Sequence, residues 1–330
     1  MLPFNEYHLN EDNLDRHNSL KSCLGTLLKS WLGRLVSGCI NPWDDRSPEI
    51  NFDRLPLKRS RLNRSPDQRE HSFLYPRVNP CLNPVINPAT HSAISASPII
   101  YQSALFPWLA SVFPDRGDLA FWEAQITPLL PHWQHQELAL DLELDLELEL
   151  ELAIVPRHGL KIGVSGIGIV SILKRWLQDP ALPQLPQPVQ RQILAKTGDG
   201  CELHYHHDRC GQLQALGQHQ GWWPSSLPWQ DLTWENGFEE LWITDPTARS
   251  LLETWIDQTD ALDGSPPHLV TGIPNFLKHL SQYDRAHAWG ALAQTLPQNQ
   301  FWAHSALLAA SDRLLSGFIK VLTVHSPSPY

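Results

Sequence analysis

The segment Leu307-Leu-Ala-Ala-Ser-Asp-Arg-Leu-Leu-Ser-Gly-Phe-Ile-Lys-Val-Leu322 decides the fold class of this chain. Its leucines, with Ser311, Phe318 and Ile319, recur every three or four positions. On a period of 3.6 residues this spacing produces one continuous, largely apolar stripe along a helix. The segment therefore predicts a long amphipathic helix and a mainly α-helical fold around it.

Two further helical segments precede it in the last third of the chain. Asp245-Pro246 is a typical helix start, because aspartate caps a first turn and proline loses no hydrogen bond at the first helical position. Apolar residues including Trp255 then share one helical face. Glycine and prolines in residues 263–267 end that helix. The next segment is predicted to open at Pro274 and to end at Leu296-Pro297, so we expect a compact helical bundle.

Four stretches of this region follow one another in a recognisable order. They are Leu203-His-Tyr-His-His-Asp-Arg209-Cys-Gly-Gln-Leu213, Arg249-Ser-Leu-Leu-Glu253, Pro274-Asn-Phe-Leu-Lys-His-Leu-Ser-Gln-Tyr283 and Ala309-Ala-Ser-Asp-Arg-Leu-Leu-Ser-Gly-Phe-Ile-Lys-Val-Leu322. Together they resemble the anticodon-binding, or DALR, domain of arginyl-tRNA synthetases. In the first stretch, Tyr205, His207 and Arg209 match the Tyr-x-His-x-Arg helix that leads into that domain. The resemblance covers residues 195–330.

The resemblance implies a helical domain that binds tRNA or a tRNA-handling partner. The tRNA-binding candidates that we select are Tyr205, His207, Arg209, Tyr283, Trp289 and Trp302. A working synthetase also needs a nucleotide-binding core with His-x-Gly-His and Lys-Met-Ser-Lys-type signatures. Neither occurs in this chain, whose single methionine is Met1. We therefore expect a stand-alone anticodon-domain-like protein without aminoacylation, and we assign no catalytic residue.

The charge of the chain argues against a simple RNA-binding surface. The formal net charge is −10, and Asp245 to Tyr330 carries five Lys and Arg against seven Asp and Glu. RNA affinity depends strongly on basic side chains that face phosphates. The alternative is an acidic helical scaffold that has lost RNA binding and engages another protein through its Trp-rich face.

Residues 1–95 predict an amphipathic helix followed by a partly disordered linker. Apolar residues between Leu20 and Ile40 share one helical face, and residues 41–95 are rich in Pro, Asn, Ser and Arg. Arg54 to Arg64 contains five basic residues and no acid. Such a run is either an ordinary solvated linker or a source of phosphate contacts.

Residues 96–190 predict a small α+β region. A helical hairpin is expected from Ile99 onward. Leu142 to Leu152 alternates leucine with Asp or Glu, which is typical of a strand with one leucine face and one acidic face, continuing through Ala153-Ile-Val155. A solvated low-complexity insert is the alternative. We thus expect three parts, with boundaries near residues 95 and 190, and a short β element near residues 138–170.

Four residues within and just before the first matched stretch are ligand types that zinc accepts: Cys201, His204, His207 and Cys210. On a helix, however, a spacing of three residues turns each successive side chain by about 60° from the last. The four cannot converge on one ion while the segment is helical. A metal site there is the disfavoured alternative, and we expect no cofactor.

The cysteine content predicts the cellular setting. Five cysteines form an odd, sparse set, and the N-terminus lacks the pattern of a secretory signal, which favours a reduced cytoplasmic setting over a disulfide framework. No run of 18 apolar residues is present, so we expect no membrane span.

Overall fold

The computed structural model describes residues 19–39, 57–60, 99–114, 118–130, 150–156, 159–178, 182–223, 234–262 and 266–323. This part of the chain is mainly helical, as predicted, with a small antiparallel sheet. The chain divides into two compact units. Residues 1–24 and 170–330 form the helical unit, and residues 25–169 form the sheet unit. The three-part division drawn from the sequence stays a prediction.

The helices follow one another along the described chain. They are α1 (Leu20–Cys39), α2 (Leu105–Val112), α3 (Leu119–Ile126), α4 (Gly166–Gln178), α5 (Gln187–Lys196), α6 (Cys201–His219), α7 (Glu235–Thr244), α8 (Pro246–Leu262), α9 (Pro266–Ala286), α10 (Trp289–Thr295) and α11 (Gln298–Thr323). The strands are β1 (Leu57–Ser60), β2 (Ile99–Ser103), β3 (Leu150–Val155) and β4 (Gly159–Val164). None of these helices combines the length and the apolarity needed to cross a membrane.

The sheet has the order β1-β2-β4-β3, and every neighbouring pair is antiparallel. β3 confirms the predicted strand over residues 150–155, whereas most of the leucine–acid repeat lies outside the described residues. Two expectations differ from the structure. Part of the predicted linker forms β1, and Ile99 to Ser103 is a strand rather than the start of a helical hairpin. A short apolar run fits either period, so pairing with β4 decides the outcome.

Helix α11 is the centre of the helical unit and confirms the predicted long helix. It packs against α6, α7, α8 and α10. Its residues 303–311 are all buried, not only those of one stripe. Most of the buried positions outside the apolar stripe are alanine or serine. Their small side chains let neighbouring helices approach from several directions. α11 is therefore an internal helix rather than a surface helix with one apolar face.

The predicted start of α8 is confirmed in detail. The Asp245 Oδ1 atom accepts hydrogen bonds from the backbone N–H groups of Thr247, at 2.8 Å, and Ala248, at 3.2 Å. These bonds satisfy donors that a helix start otherwise leaves unpaired. α8 then packs along α9.

The predicted start of α9 at Pro274 is wrong. α9 begins at Pro266, and Pro274 lies inside it. Prolines 266 and 267 have no N–H to lose in a first turn, so the helix can begin there. An interior proline costs about 3 kcal/mol, but its neighbours Ile273 and Phe276 are fully buried and offset that cost. The predicted helical segment is interrupted instead between Ala286, where α9 ends, and Trp289, where α10 begins.

The internal position of α11 predicts a strong contrast between two adjacent residues. Leu314 is fully buried, while Arg313 is exposed. Leu314→Ala should lower the free energy of unfolding by about 2–5 kcal/mol, because it removes buried apolar area and leaves a cavity. Arg313→Ala should change it by less than about 0.5 kcal/mol. Urea unfolding monitored by circular dichroism measures both, and equal effects would contradict the assignment of α11 as the core helix.

Candidate functional site

The first candidate site is the matched motif on α6, Tyr205, His207 and Arg209, which we call the motif face. Tyr205 and Arg209, four residues apart, lie on the same side of the helix, whereas His207 lies on the other side. This helix starts after a tight turn in which Gly198, Asp199 and Gly200 all have positive φ. Tyr205 is 65% exposed and makes an edge contact with the ring of His206, at 5.1 Å between centroids. It is the most accessible member of the face.

The other two members of the motif face join α6 to neighbouring helices. His207 Nδ1 lies 2.7 Å from Asp312 Oδ1 on α11, and Gln214 donates to the other oxygen of that carboxylate. Arg209 donates through Nε to Asp284 Oδ2 on α9 at 2.9 Å. His207 and Arg209 therefore join α6 to α11 and α9. Each of these two side chains already has a carboxylate as its partner.

The remaining tRNA-binding candidates lie mostly in the interior. Tyr283 is fully buried and Trp289 nearly so, while Trp302 is half-buried. Buried rings cannot face an RNA loop, so the prediction that Tyr283 and Trp289 face the loop is wrong. Both lie on helix faces that pack inward, where large aromatic side chains contribute most to the core.

The structure does not bring Cys201, His204, His207 and Cys210 together. They lie on α6, where Cys201 is exposed and Cys210 is buried. Burial raises the pKa of the Cys210 thiol well above its ordinary value, which disfavours the thiolate that binds metals. Within the described residues, these four donors form no group that could share an ion.

A different set of donors meets in the interior of the helical unit. We call it the histidine cluster: Asp245 at the α7–α8 corner, Tyr283 on α9, His287 directly after the end of α9, and His304 on α11. The donor atoms of Asp245, His287 and His304 all lie within 4.8 Å of one another. Their side chains are 15%, 9% and 8% exposed, respectively. In the described part of the chain it is the one group of three such ligands that could hold a metal ion.

Asp245 divides its two carboxylate oxygens between two tasks. Oδ1 caps α8, and it also accepts a hydrogen bond from the Thr247 hydroxyl at 2.6 Å. Oδ2 faces the cluster and lies 2.7 Å from His287 Nε2. Arg249 fixes the same corner, because it donates to the carbonyl oxygens of Trp242 and Ile243 at the end of α7. The cluster carboxylate is therefore held at a rigid corner.

His287 lies between two hydrogen-bond acceptors. Its Nδ1 atom is 2.6 Å from the Tyr283 carbonyl oxygen, which can only accept, and its Nε2 atom faces the carboxylate of Asp245. Both ring nitrogens therefore carry hydrogen in this arrangement, and the ring is positively charged. Burial alone would lower the pKa of His287, but its hydrogen bonds to Asp245 and to Tyr283 outweigh burial and raise it.

His304 is the neutral histidine of the cluster. Burial, together with the nearby charge of His287, lowers the pKa of His304 to about 4. Its Nδ1 atom lies 2.8 Å from the Tyr283 hydroxyl and 4.0 Å from Asp245 Oδ2. The same hydroxyl also donates to the His304 carbonyl oxygen at 3.1 Å. Tyr283 thus satisfies two buried polar atoms of α11.

The pKa of Asp245 moves in the opposite sense to that expected from burial. Burial alone would raise it, but hydrogen bonds from His287, Thr247 and the Ala248 N–H hold the pKa of this carboxyl well below its ordinary value. The carboxylate is therefore charged throughout the neutral and mildly acidic range. The cluster can fix the α7–α8 corner to α9 and α11, and its nitrogen and oxygen donors also suit a cation.

Sequence reasoning missed this cluster because its members come from three separate places in the chain: the α7–α8 corner, the end of α9 with the residue after it, and α11. Tyr283 and His287 are only four residues apart in the sequence, and Asp245 is visible as a cap. His304, however, joins them only through the packing of α11. No spacing in the sequence indicates that contact.

Comparisons with known proteins find no relative of this chain. No protein-family model matches the chain, and neither the curated proteins nor the solved structures include a significant match.

The Asp245–His287 contact predicts a measurable change in Asp245→Asn. Asparagine caps helices as well as aspartate does, so this variant removes the charge facing His287 and keeps the α8 cap. The pKa of His287 should fall below the wild-type value, because burial is then no longer offset by the carboxylate. Proton NMR titration of the histidine rings, with EDTA present, measures it. An unchanged His287 pKa would contradict the charged pair.

The same variant should change the pH profile of stability. The raised pKa of His287 stabilises the fold fully below the unfolded value of about 6.5, and that stability is lost as pH rises through the folded pKa. The lowered pKa of Asp245 stabilises it above the unfolded value of about 3.9, and that stability is lost as pH falls. The loss of unfolding free energy in Asp245→Asn, about 1–3 kcal/mol, should therefore be greatest between about pH 4 and 6.5.

Proposed function

We propose that this chain is a stand-alone anticodon-domain-like protein, related to arginyl-tRNA synthetases, that binds tRNA without charging it. The observation that carries the proposal is the set of contacts made by the motif face. His207 reaches a partner 105 residues away on α11, and Arg209 reaches one 75 residues away on α9. These are helices that contain two of the other matched stretches. If each stretch resembled the family only by chance, there would be no reason for residues in and beside different stretches to meet in the fold.

The charges around the motif face favour recognition of bases over capture of phosphates. Asp284 already faces Arg209, and Asp312 faces His207. Tyr205 projects into solvent instead, and unpaired bases in RNA loops stack on exposed aromatic rings. Tyr205 is therefore the residue that we assign to an unpaired base of the anticodon loop. The phosphate contacts are assigned to the basic run of residues 54–64.

A second candidate function is an acidic scaffold that binds a protein partner. Residues 170–330 carry ten Lys and Arg against fifteen Asp and Glu, which repels phosphates. Ile243 is 71% exposed at the end of α7, and the stacking of Arg249 on Trp242 makes the adjoining corner rigid. A large apolar side chain exposed on a fixed corner favours a protein contact.

The chain should not activate arginine. Its sequence lacks the class I signatures that hold ATP in the transition state. We expect no arginine-dependent exchange between ATP and pyrophosphate and no charging of tRNA, with a working arginyl-tRNA synthetase assayed in parallel. Measurable arginine-dependent exchange would overturn the non-catalytic part of the proposal.

Binding of total tRNA to the full chain separates the two candidate functions. Gel retardation between about 50 and 200 mM salt should show binding that weakens as salt rises. Tyr205→Ala should weaken it by about 1–3 kcal/mol, or roughly 5- to 150-fold, by loss of one stacked base. Ile243→Ala is the matched control and should bind normally. No retention at low salt, or equal loss in both variants, would reject tRNA binding through Tyr205 and favour the scaffold.

The contribution of the basic run is tested by substitution rather than by deletion. Removing residues 1–95 would also remove α1, whose Lys21 N–H donates to Asp260 on α8 at 3.0 Å, and β1. The triple change of Arg54, Arg61 and Arg64 to Ser leaves Lys58 and Arg59 of β1 in place. If three phosphate contacts are lost, the slope of log affinity against log salt should decrease by about two.

A further inference from the structure

We infer that the histidine cluster binds a divalent transition-metal ion, with zinc as the best fit, through Asp245 Oδ2, His287 Nε2 and His304 Nδ1. The ion replaces the Nε2 hydrogen of His287, which leaves as a proton to solvent. The inference does not depend on tRNA binding, since it concerns interior residues that the motif face does not include.

Two of the three separations between donor atoms are close to those around a bound ion, and the third is no more than 4.8 Å. Zinc bonds to histidine nitrogen and carboxylate oxygen at about 2.0–2.1 Å, which places two tetrahedral ligands about 3.3 Å apart. In the structure, Asp245 Oδ2 is 2.7 Å from His287 Nε2 and 4.0 Å from His304 Nδ1. An ion would lengthen the first separation and shorten the second, each by less than about 1 Å. Side-chain rotation alone can supply changes of that size.

The outer atoms of two of the three ligands are already held. Asp245 Oδ1 accepts three hydrogen bonds at the start of α8, and His287 Nδ1 donates to the Tyr283 carbonyl oxygen. Metal-binding histidines commonly donate their second nitrogen to a backbone carbonyl, which fixes the ring and its tautomer. Asp245 and His287 therefore need no new support when an ion enters.

The Tyr283 hydroxyl can release His304 Nδ1 without losing its own partner. It lies near Nδ1 at 2.8 Å and near the His304 carbonyl oxygen at 3.1 Å. When its hydrogen points to the carbonyl oxygen and the ring hydrogen of His304 is on Nε2, the lone pair of Nδ1 is available to an ion. The Tyr283 ring stacks on the His304 imidazole at an angle of 19°, which limits rotation of the histidine.

The donor set selects the class of ion. Two imidazoles and one carboxylate suit zinc and neighbouring transition metals, whereas magnesium and calcium prefer sites made of oxygen. Three protein ligands also leave one tetrahedral position for water or another small ligand. The nearly buried position, beside Tyr283 and Trp289, favours slow exchange of the ion.

Wild-type protein provides the first test, with no risk of misfolding. The full chain is stripped with EDTA, loaded with zinc, passed over a desalting column and analysed for metal. We expect one zinc per chain. X-ray absorption at the zinc edge should then show only nitrogen and oxygen at about 2.0 Å and no sulfur at about 2.3 Å. Absence of retained zinc, or a sulfur shell, would overturn the inference.

Paired variants locate the ion. His304→Gln and Asp245→Asn should each weaken zinc binding at least 10-fold in competition with a chromophoric chelator. The double variant Cys201→Ala, His204→Gln is the matched control, since it removes the donors on α6 that the cluster does not use, and should bind as the wild type does. Circular dichroism establishes that each variant folds. Loss of zinc in the control, or its retention in both cluster variants, would contradict the assignment.

Discussion

The burial of residues 303–311 of α11 on all sides is the constraint from which the rest of the helical unit follows. A helix with a single apolar stripe can leave its polar residues in water, but α11 has nine consecutive buried residues, 303–311. Each polar group in that stretch therefore needs a partner inside the protein. Ser305 and Ser311 bond to carbonyl oxygens one turn earlier, and Ser305 also accepts from the Trp223 ring N–H. His304 finds its partner on another helix instead, because its Nδ1 atom lies 2.8 Å from the Tyr283 hydroxyl on α9.

The histidine cluster is the consequence of that requirement. Tyr283 provides the hydroxyl that faces His304, and its backbone carbonyl fixes His287, which in turn faces Asp245. One continuous chain of polar contacts thus runs from the core of α11 to the α7–α8 corner. Asp245 completes it because its two oxygens point in different directions, one to a helix start and one to a histidine. The same features that satisfy buried groups also hold three donors in reach of a single cation.

The motif face shows how one short pattern can have two roles. His207 and Arg209 contribute to the fold, since each bonds to a carboxylate on another helix. Partly exposed ion pairs of this kind add little to stability on their own, but they set the orientation of α6 and with it the direction of Tyr205. The tertiary contacts and the proposed recognition of RNA are therefore compatible, because they use different residues of the same four-residue turn.

The sequence by itself determined the elements whose signal is local. The spacing of Leu307 to Leu322 predicted α11, Asp245-Pro246 predicted the start and cap of α8, and residues 150–155 were predicted as a strand because alternation has a period of two. Sequence reasoning failed where packing outweighs local preference. Pro274 was expected to start a helix, yet buried neighbours keep it inside α9, and Ile99 was expected in a helix, yet β4 pairs with it.

Only the tertiary structure decided which polar residues meet. Asp245, His287 and His304 lie 42 and 17 residues apart in sequence order, and no periodicity relates them. They meet because His287, directly after α9, and His304 on α11 both pack toward the corner that holds Asp245. Conversely, Cys201, His204, His207 and Cys210 are close in sequence and stay apart in space, since a helix turns 100° per residue. Local spacing fixes which face a residue occupies, but the packing of faces from different helices fixes its neighbours.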